Sequence, residues 1–557
     1  MKIKVFFKLS TFLLSILLAA SCANNEYAAE KGEQQEDFDT TGLTAFAMVE
    51  KKETTPKSRT TAEYDGSGLN FYWTLGDLIW INDPAAPLAS RLKSCSKSNI
   101  SASLRPNSNT PSAAQRAEKA VFYFAGNYTL PQYSLRYTGG SGSPDKVQIR
   151  DMQSQNYPNA FDQMGANGDF GVATAKRKVG RYEFELEHKA AYATFLPYTA
   201  QTTIAGFKLQ EITIKANEHM AGTYDIDDAG NLSGITNPSS SITMTLSSPG
   251  NFSIPQFAAN PAANATTMVI APGTYHNFTV SYKLYNPNDY STFVLTKTYP
   301  SVTFTAGKNK KITQQLKIRE YHPEYYLWDA LSGRHLWKGY ESYQPKKDGE
   351  SNKAYAPLSS ADSRWYNEAT FPMQATQSAQ KAPNTNEVLW YMQHGDARWD
   401  ESIAYMVFGR IYTGGVWLKK LSTIATEHPG KNLHEEAPDG KDRRTDLSGL
   451  DNTYLYEHSG SLPTTLPTDL SKYFFLPAFG SYQGRFEEQT MFMYVGLYAQ
   501  FWTSSSASGV VTLGGHTYSV AVAFGFGKTY QFVQRPTVRR IAMPVFRIDD
   551  EDVYNPF

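Results

Sequence analysis

The stretch "LTAFAMVEKKETTPKSRTTAEYDGSGLNFYWTLGDLIWI", residues 43–81, decides how the chain is read. It opens on LTAFAMVE, an apolar patch long enough for one β-strand. It closes on strand-type residues around a Gly76-Asp77 turn. Between them stands Arg59, the first arginine in the chain, in a polar linker. A strand-forming segment just ahead of a protease-accessible arginine predicts a strand that pairs with the following domain and is then removed.

Upstream, residues 1–21 read as an export signal. "MKIKVFFK" gives a positive start and "LSTFLLSILLAAS" an apolar run too short for a transmembrane helix. The end of this leader, Ala19-Ala20-Ser21-Cys22, resembles a bacterial lipobox, with its usual Leu displaced by one to Leu18. Cys22 is therefore the candidate lipidation site, and residues 22–59 a propeptide or tether. The first half of that tether is acidic and polar and reads as flexible.

Lys and Arg number 53 and so do Asp and Glu, so no basic field draws the chain to nucleic acid. The 557 residues suggest about three domains of roughly 100–200 residues each. Aromatics make up 14% of the sequence, with 36 Tyr and 31 Phe, a composition that favours strands. Beyond Cys22 the only cysteine is Cys95, in the polar run RLKSCSKSN, which excludes an intramolecular disulfide in the mature body and reads as a loop or strand-end thiol.

From Thr60 to Ile318 short strands recur with turn residues about every 10 positions, which points to sandwiches. Two are expected, at 60–200 and 201–318. From Arg319 to the end, at 319–557, the texture turns richer in Trp and loops, with room for a helix or two before strands return; this reads as an α+β domain. No nucleophile elbow, zinc-protease motif, phosphate loop or dinucleotide fingerprint is present, so the chain does not read as an enzyme and no cofactor or metal is expected. "DIDDAGN", residues 225–231, lacks the closing Glu of a calcium loop and reads as a β-turn. His188 is expected to satisfy a local backbone group.

Three stretches together resemble the fimbrillin family of Bacteroidales, the subunits of type V pili. They are the lipobox with a distant Arg, "FYWTLGDLIWI" (Phe71 to Ile81) and "FTAGKNKKITQQLKI" (Phe304 to Ile318). Trp73, Gly76, Asp77 and Ile79 match the family's early Trp-x-x-Gly-Asp-x-Ile pattern, and Ala306, Gly307 and Lys308 its turn before a closing strand. The resemblance implies two tandem fimbrillin-type β-sandwich domains. It also implies transit as an outer-membrane lipoprotein, a cut by an arginine-specific protease between Arg59 and Thr60, and donation of a strand from the next subunit into the vacated place.

The last third carries a second resemblance. "FFLPAFGSYQG" (Phe474 to Gly484) and "VGLYAQFWTSSSA" (Val495 to Ala507) look like a disulfide-free C-type-lectin-like domain, with Leu476, Pro477, Gly480, Trp502, Ser504 and Arg547 matching. Such folds present loops for recognition, here of a host or bacterial surface ligand. Trp502 is expected in the core, and Trp365 and Trp399, in polar loops, on the surface. An extra domain in place of a free donor strand resembles an accessory or tip subunit of the Porphyromonas-type major fimbrium. Its partners would be the main shaft fimbrillin and other accessory tip proteins, and its place the fimbrium at the cell surface. The alternative is a permanently anchored outer-membrane surface lipoprotein that binds glycan or peptide.

Overall fold

A computed structural model of the chain describes residues 39–49, 61–247, 250, 252–352, 355–449, 453–483 and 491–551. Strands account for 46% of it and helix for 8%, so the fold class is mainly β, as the strand-and-turn pattern predicts. Among the described residues no helix is long and apolar enough to cross a membrane.

The first sheet has nine strands. Eight lie side by side in the order Leu92–Ser94, Trp80–Asn82, Gln132–Tyr137, Gly171–Lys178, Arg181–Phe184, Leu43–Met48, Val121–Ala125 and Lys97–Ser98. Glu187–His188 pairs off this path with Gly171–Lys178. The Trp-x-x-Gly-Asp motif makes the bend into this sheet. Gly76 takes φ +93°, which favours glycine. Asp77 accepts from the Thr74 backbone N–H at 2.6 Å and so closes the turn. The bend drops Trp73, Ile79 and Ile81 into the first core, all fully buried. Cys95, just past a strand end, is buried in the same core, and burial pushes its thiol pKa up.

The second core lies between a five-stranded sheet and a three-stranded one. The larger runs Met152–Gln155, Ser241–Leu246, Lys208–Lys215, Gly273–Tyr285, Thr292–Phe304; the smaller runs Thr266–Ile270, Ala191–Thr199, Asn309–Leu316. This core is not confined to residues after 200. The hairpin of Thr61–Tyr64 with Leu69–Tyr72 packs in it, and Met152–Gln155 pairs in parallel with Ser241–Leu246. Lys146–Ile149 also crosses over, pairing antiparallel with Ala221–Ile226. "DIDDAGN" is the turn after that strand, with the Asp227 carboxylate accepting from the backbone N–H groups of Ala229 and Asn231.

His188 differs from its expected role. Its Nδ1 lies 2.9 Å from the buried Asp169 carboxylate, and its ring stacks on Phe71 at 4.0 Å. Asp169 also accepts from the Tyr192 hydroxyl. A carboxylate supplied by a loop nineteen residues upstream is invisible to local reading. Gly307 of the Ala-Gly-Lys turn sits against this cluster: it takes φ +67°, and a Cβ there would meet the His188 carbonyl oxygen at 2.6 Å.

Residues from Arg319 on build a third core around two sheets. One has the order Arg319–Tyr321, Arg398–Val407, Arg410–Lys419, Tyr473–Pro477. The other has Tyr454–Ser459, Tyr530–Val538, His516–Gly527, Tyr498–Leu513, Phe479–Gln483, Met491–Val495. A helix, Thr385–His394, starts on a capping box in which Asn384 and Glu387 satisfy each other's backbone N–H. Trp502 is fully buried, as expected, and donates to the Tyr326 carbonyl at 2.9 Å.

The loops preceding that helix are pinned by Asp329, which is wholly buried. Its carboxylate accepts from the backbone N–H groups of Thr376 (2.9 Å), Gln377 (2.8 Å) and Ala379 (3.2 Å) and from Asn367 Nδ2 (2.8 Å). Asp329→Ala would orphan these donors in the interior, at about 1–3 kcal/mol each before relaxation. Urea unfolding of the variant should show a loss of about 3 kcal/mol or more in the transition that reports the third core.

Candidate functional site

The strand Leu43–Met48 is the first described element of the chain, yet it lies deep inside the nine-stranded sheet. It pairs antiparallel with Val121–Ala125, setting Leu43 opposite Ala125 and Phe46 opposite Phe122. On its other side it pairs in parallel with Arg181–Phe184, setting Phe46 opposite Tyr182 and Met48 opposite Phe184. The ladder runs past both ends. Thr44 donates its hydroxyl to the Gly126 carbonyl at 2.8 Å, the Met48 N–H reaches the Ala120 carbonyl at 3.1 Å, and the Val49 N–H reaches the Phe184 carbonyl at 2.9 Å.

The side chains make the slot specific. Phe46 is 0% exposed. Its ring stacks on Tyr182 at 4.6 Å, and Phe124, Tyr128 and Tyr133 meet it edge-on at 5.0, 5.6 and 6.3 Å. Edge-to-face contacts of this kind add about 0.5–1.5 kcal/mol per pair beyond the burial itself. Two residues on, the Met48 sulfur accepts from Trp73 Nε1 at 3.1 Å, so the motif tryptophan caps the end of the same strand. The aromatic box is itself tied down: the Tyr182 hydroxyl donates to the Leu130 carbonyl at 2.6 Å. Burial, with Asp83 and Tyr133 near by, pushes the Tyr128 phenol up to about 12.

One link joins this strand to the body that follows. Residues 50–60 carry the chain from its end to Thr61, the first residue of the next strand. Arg59 and Thr60 fall within that link and, like Cys22, lie outside the described residues. The sequence picks out LTAFAMVE as a strand, but it does not pick out the partners of that strand. Their signal is that Val121–Ala125 (VFYFA) and Arg181–Phe184 (RYEF) are short aromatic-rich runs, in which every second residue turns inward.

The two tryptophans expected on the surface of the last domain separate. Trp399 is a correction: it is 1% exposed and part of the third core, with Nε1 donating to Glu401 at 3.0 Å. It belongs to the strand Arg398–Val407, and its polar neighbour Asp400 is buried with it, accepting from Trp417 Nε1 at 2.9 Å. Trp365 is half-buried; it stacks on Tyr366 at 4.7 Å, donates to Glu368 at 2.8 Å and carries the Arg540 guanidinium 5.0 Å above its ring. A second aromatic group on the same domain is more open. Tyr355 stacks with Tyr340 at 4.9 Å and with Tyr343 at 4.3 Å, and Tyr343 is half exposed.

No protein-family model matches the chain, and no curated protein does. Among solved structures, a "putative cell adhesion protein" from Bacteroides uniformis is similar at 15% identity with a TM-score of 0.27, over 50% of this chain and 94% of that one. Another of that name from Bacteroides ovatus is similar at 14% identity and 0.26, over 49% and 91%. A fimbrial protein from Bacteroides ovatus is similar at 10% identity and 0.19, over 90% and 98%. Scores this low carry no weight for the function of this chain.

Truncating the ring at the centre of the slot should cost about 3–5 kcal/mol, as for a large buried aromatic. Phe46→Ala in the full-length chain should therefore lower the first unfolding transition by that amount. Denaturant unfolding followed by the fluorescence of Trp73 against the third-domain tryptophans checks it. Phe46→Leu should recover part of the loss.

Proposed function

We propose that this chain is an accessory or tip subunit of a fimbrium, exported as a lipoprotein on Cys22 and cut between Arg59 and Thr60. A neighbour's strand then enters the place of Leu43–Met48. The observation that carries the reading is the position of that strand: internal to a sheet, paired on both sides, and joined to the rest by residues 50–60. One cut in that link leaves it held by hydrogen bonds and packing alone. A replacement strand would run antiparallel to Val121–Ala125 and parallel to Arg181–Phe184, which fixes its polarity.

An empty slot would expose the rings of Phe124, Tyr128, Tyr133 and Tyr182 together with two open strand edges. Such a state is costly, so the outgoing strand is displaced by the incoming one rather than lost first. The motif match at Trp73, Gly76, Asp77 and Ile79 supports the same reading, since Trp73 is the residue that grips Met48. The third domain then acts in adhesion to host cells or other bacteria, with Trp365 and the Tyr340, Tyr343 and Tyr355 stack as its exposed aromatic surface. The role is non-enzymatic and places the mature protein at the cell surface.

Mass spectrometry of the mature N-terminus tests this reading. Material from purified fibres should begin at Thr60, and Arg59→Ala should leave the chain uncut and absent from fibres. An acylated Cys22 on protein that joins no filament would overturn the reading in favour of a permanently anchored surface lipoprotein.

A further inference from the structure

The slot of Leu43–Met48 has a basic mouth at its Leu43 end. The hairpin of Gly171–Lys178 with Arg181–Phe184 turns there, and its register sets Lys178 directly opposite Arg181. Like charges so placed work against the turn. Arg181 is offset by Glu183 at 2.7 Å, whereas Lys176 and Lys178, both exposed, form no ion pair among the described residues. Arg177 donates to the Thr129 carbonyl at 3.0 Å. A cleft of about 680 Å³ opens beside the start of the slot strand, lined by Thr44, Tyr128 and Tyr182 and by Arg177, Lys178 and Arg181. Its lining holds those three cations and no carboxylate.

The chain comes to the same mouth from upstream. The Leu43 N–H donates to the Thr40 carbonyl at 3.0 Å, which makes a turn ahead of the strand. That turn brings Asp39 to Lys97, whose Nζ donates to the Asp39 carbonyl at 3.2 Å. Bonds from Thr41, with Lys97 near by, hold the Asp39 carboxyl below its usual range. Ahead of Asp39 runs EYAAEKGEQQEDF, residues 26–38, with five carboxylates against the single Lys31. This segment lies outside the described residues. Its reach suffices. Lys97–Ser98 and Arg181–Phe184 stand three strand spacings apart in the sheet, about 14 Å. Seven extended residues, Glu30 to Asp37, span about 23 Å.

We infer that the basic mouth is the docking surface of this chain's own acidic segment, residues 26–38, which crosses it from Lys97 to the hairpin tip at Lys178. Its carboxylates supply the counter-charge that Lys176 and Lys178 lack in the fold. Each exposed pair contributes little, so the contact is spread over several and is sensitive to salt. The inference does not depend on the cut at Arg59 or on the neighbour's strand.

The test uses the full-length protein in detergent, with Arg59→Ala so that the segment stays attached. Zero-length carbodiimide coupling joins carboxylates to amines in contact, and mass spectrometry maps the products. A mixture with isotope-labelled protein tells links within one chain from links between two. Glu33, Glu36 and Asp37 should couple to Lys97, Lys176 and Lys178 within one chain. At about 1 M salt, where the screening length falls to about 3 Å, the yield should drop roughly fivefold or more. Lys176→Glu with Lys178→Glu removes those links. Adding Glu33→Lys and Glu36→Lys to that variant should bring coupling back in the reverse sense, between the new amines of the segment and the new carboxylates of the hairpin. No coupling of the segment to Lys176 or Lys178, links found only between two copies, or a swapped protein that does not couple would overturn the assignment.

Discussion

The first unit of this protein depends on one ring. Phe46 sits at the meeting point of Phe124, Tyr128, Tyr133 and Tyr182, on a strand that bonds to neighbours on both sides. Remove that strand and the sheet divides between Arg181–Phe184 and Val121–Ala125, with the aromatic wall turned to water. The element that completes the sheet is joined to the body that follows by residues 50–60, so a strand on which the first core depends hangs on one covalent link. Under the proposed function that strand is a placeholder for a neighbour's.

Trp73 ties the placeholder to the recognisable motif. The Gly76 turn and the Asp77 carboxylate set the bend that buries the indole, and the indole N–H then finds the Met48 sulfur. The motif thus shapes the end of the slot as well as the core of the sheet. Under the proposed function, a strand entering in place of Leu43–Met48 would meet the same N–H at that depth, where a sulfur or oxygen acceptor is favoured over a bare hydrocarbon.

Much of this was legible in the residues. LTAFAMVE reads as a strand because six of its first seven residues are apolar, and the spacing of turn residues after Thr60 reads as sandwiches because it repeats. Trp502 was readable as core. What was not legible came from distance along the chain. Nothing near His188 announces Asp169, nothing near Phe46 announces Tyr182, and the polar look of Asp400 beside Trp399 hides a carboxylate that is buried against the Trp417 indole seventeen residues on. The pairing of Met152–Gln155 with Ser241–Leu246 is of the same kind: parallel partners far apart in sequence leave no local mark.

That last pairing bears on how firmly the two β units are tied together. A pull between the N-terminal sheet and the residues beyond Arg319 does not pass through a single flexible joint. It is shared among the Met152–Gln155 and Lys146–Ile149 ladders, the hairpin of Thr61–Tyr64 and the buried Asp169, His188 and Tyr192 contacts. Where tension runs along such ladders, many bonds must shear together before any one gives way. In the role proposed above, the tandem units would meet traction as one strut rather than as two beads on a string.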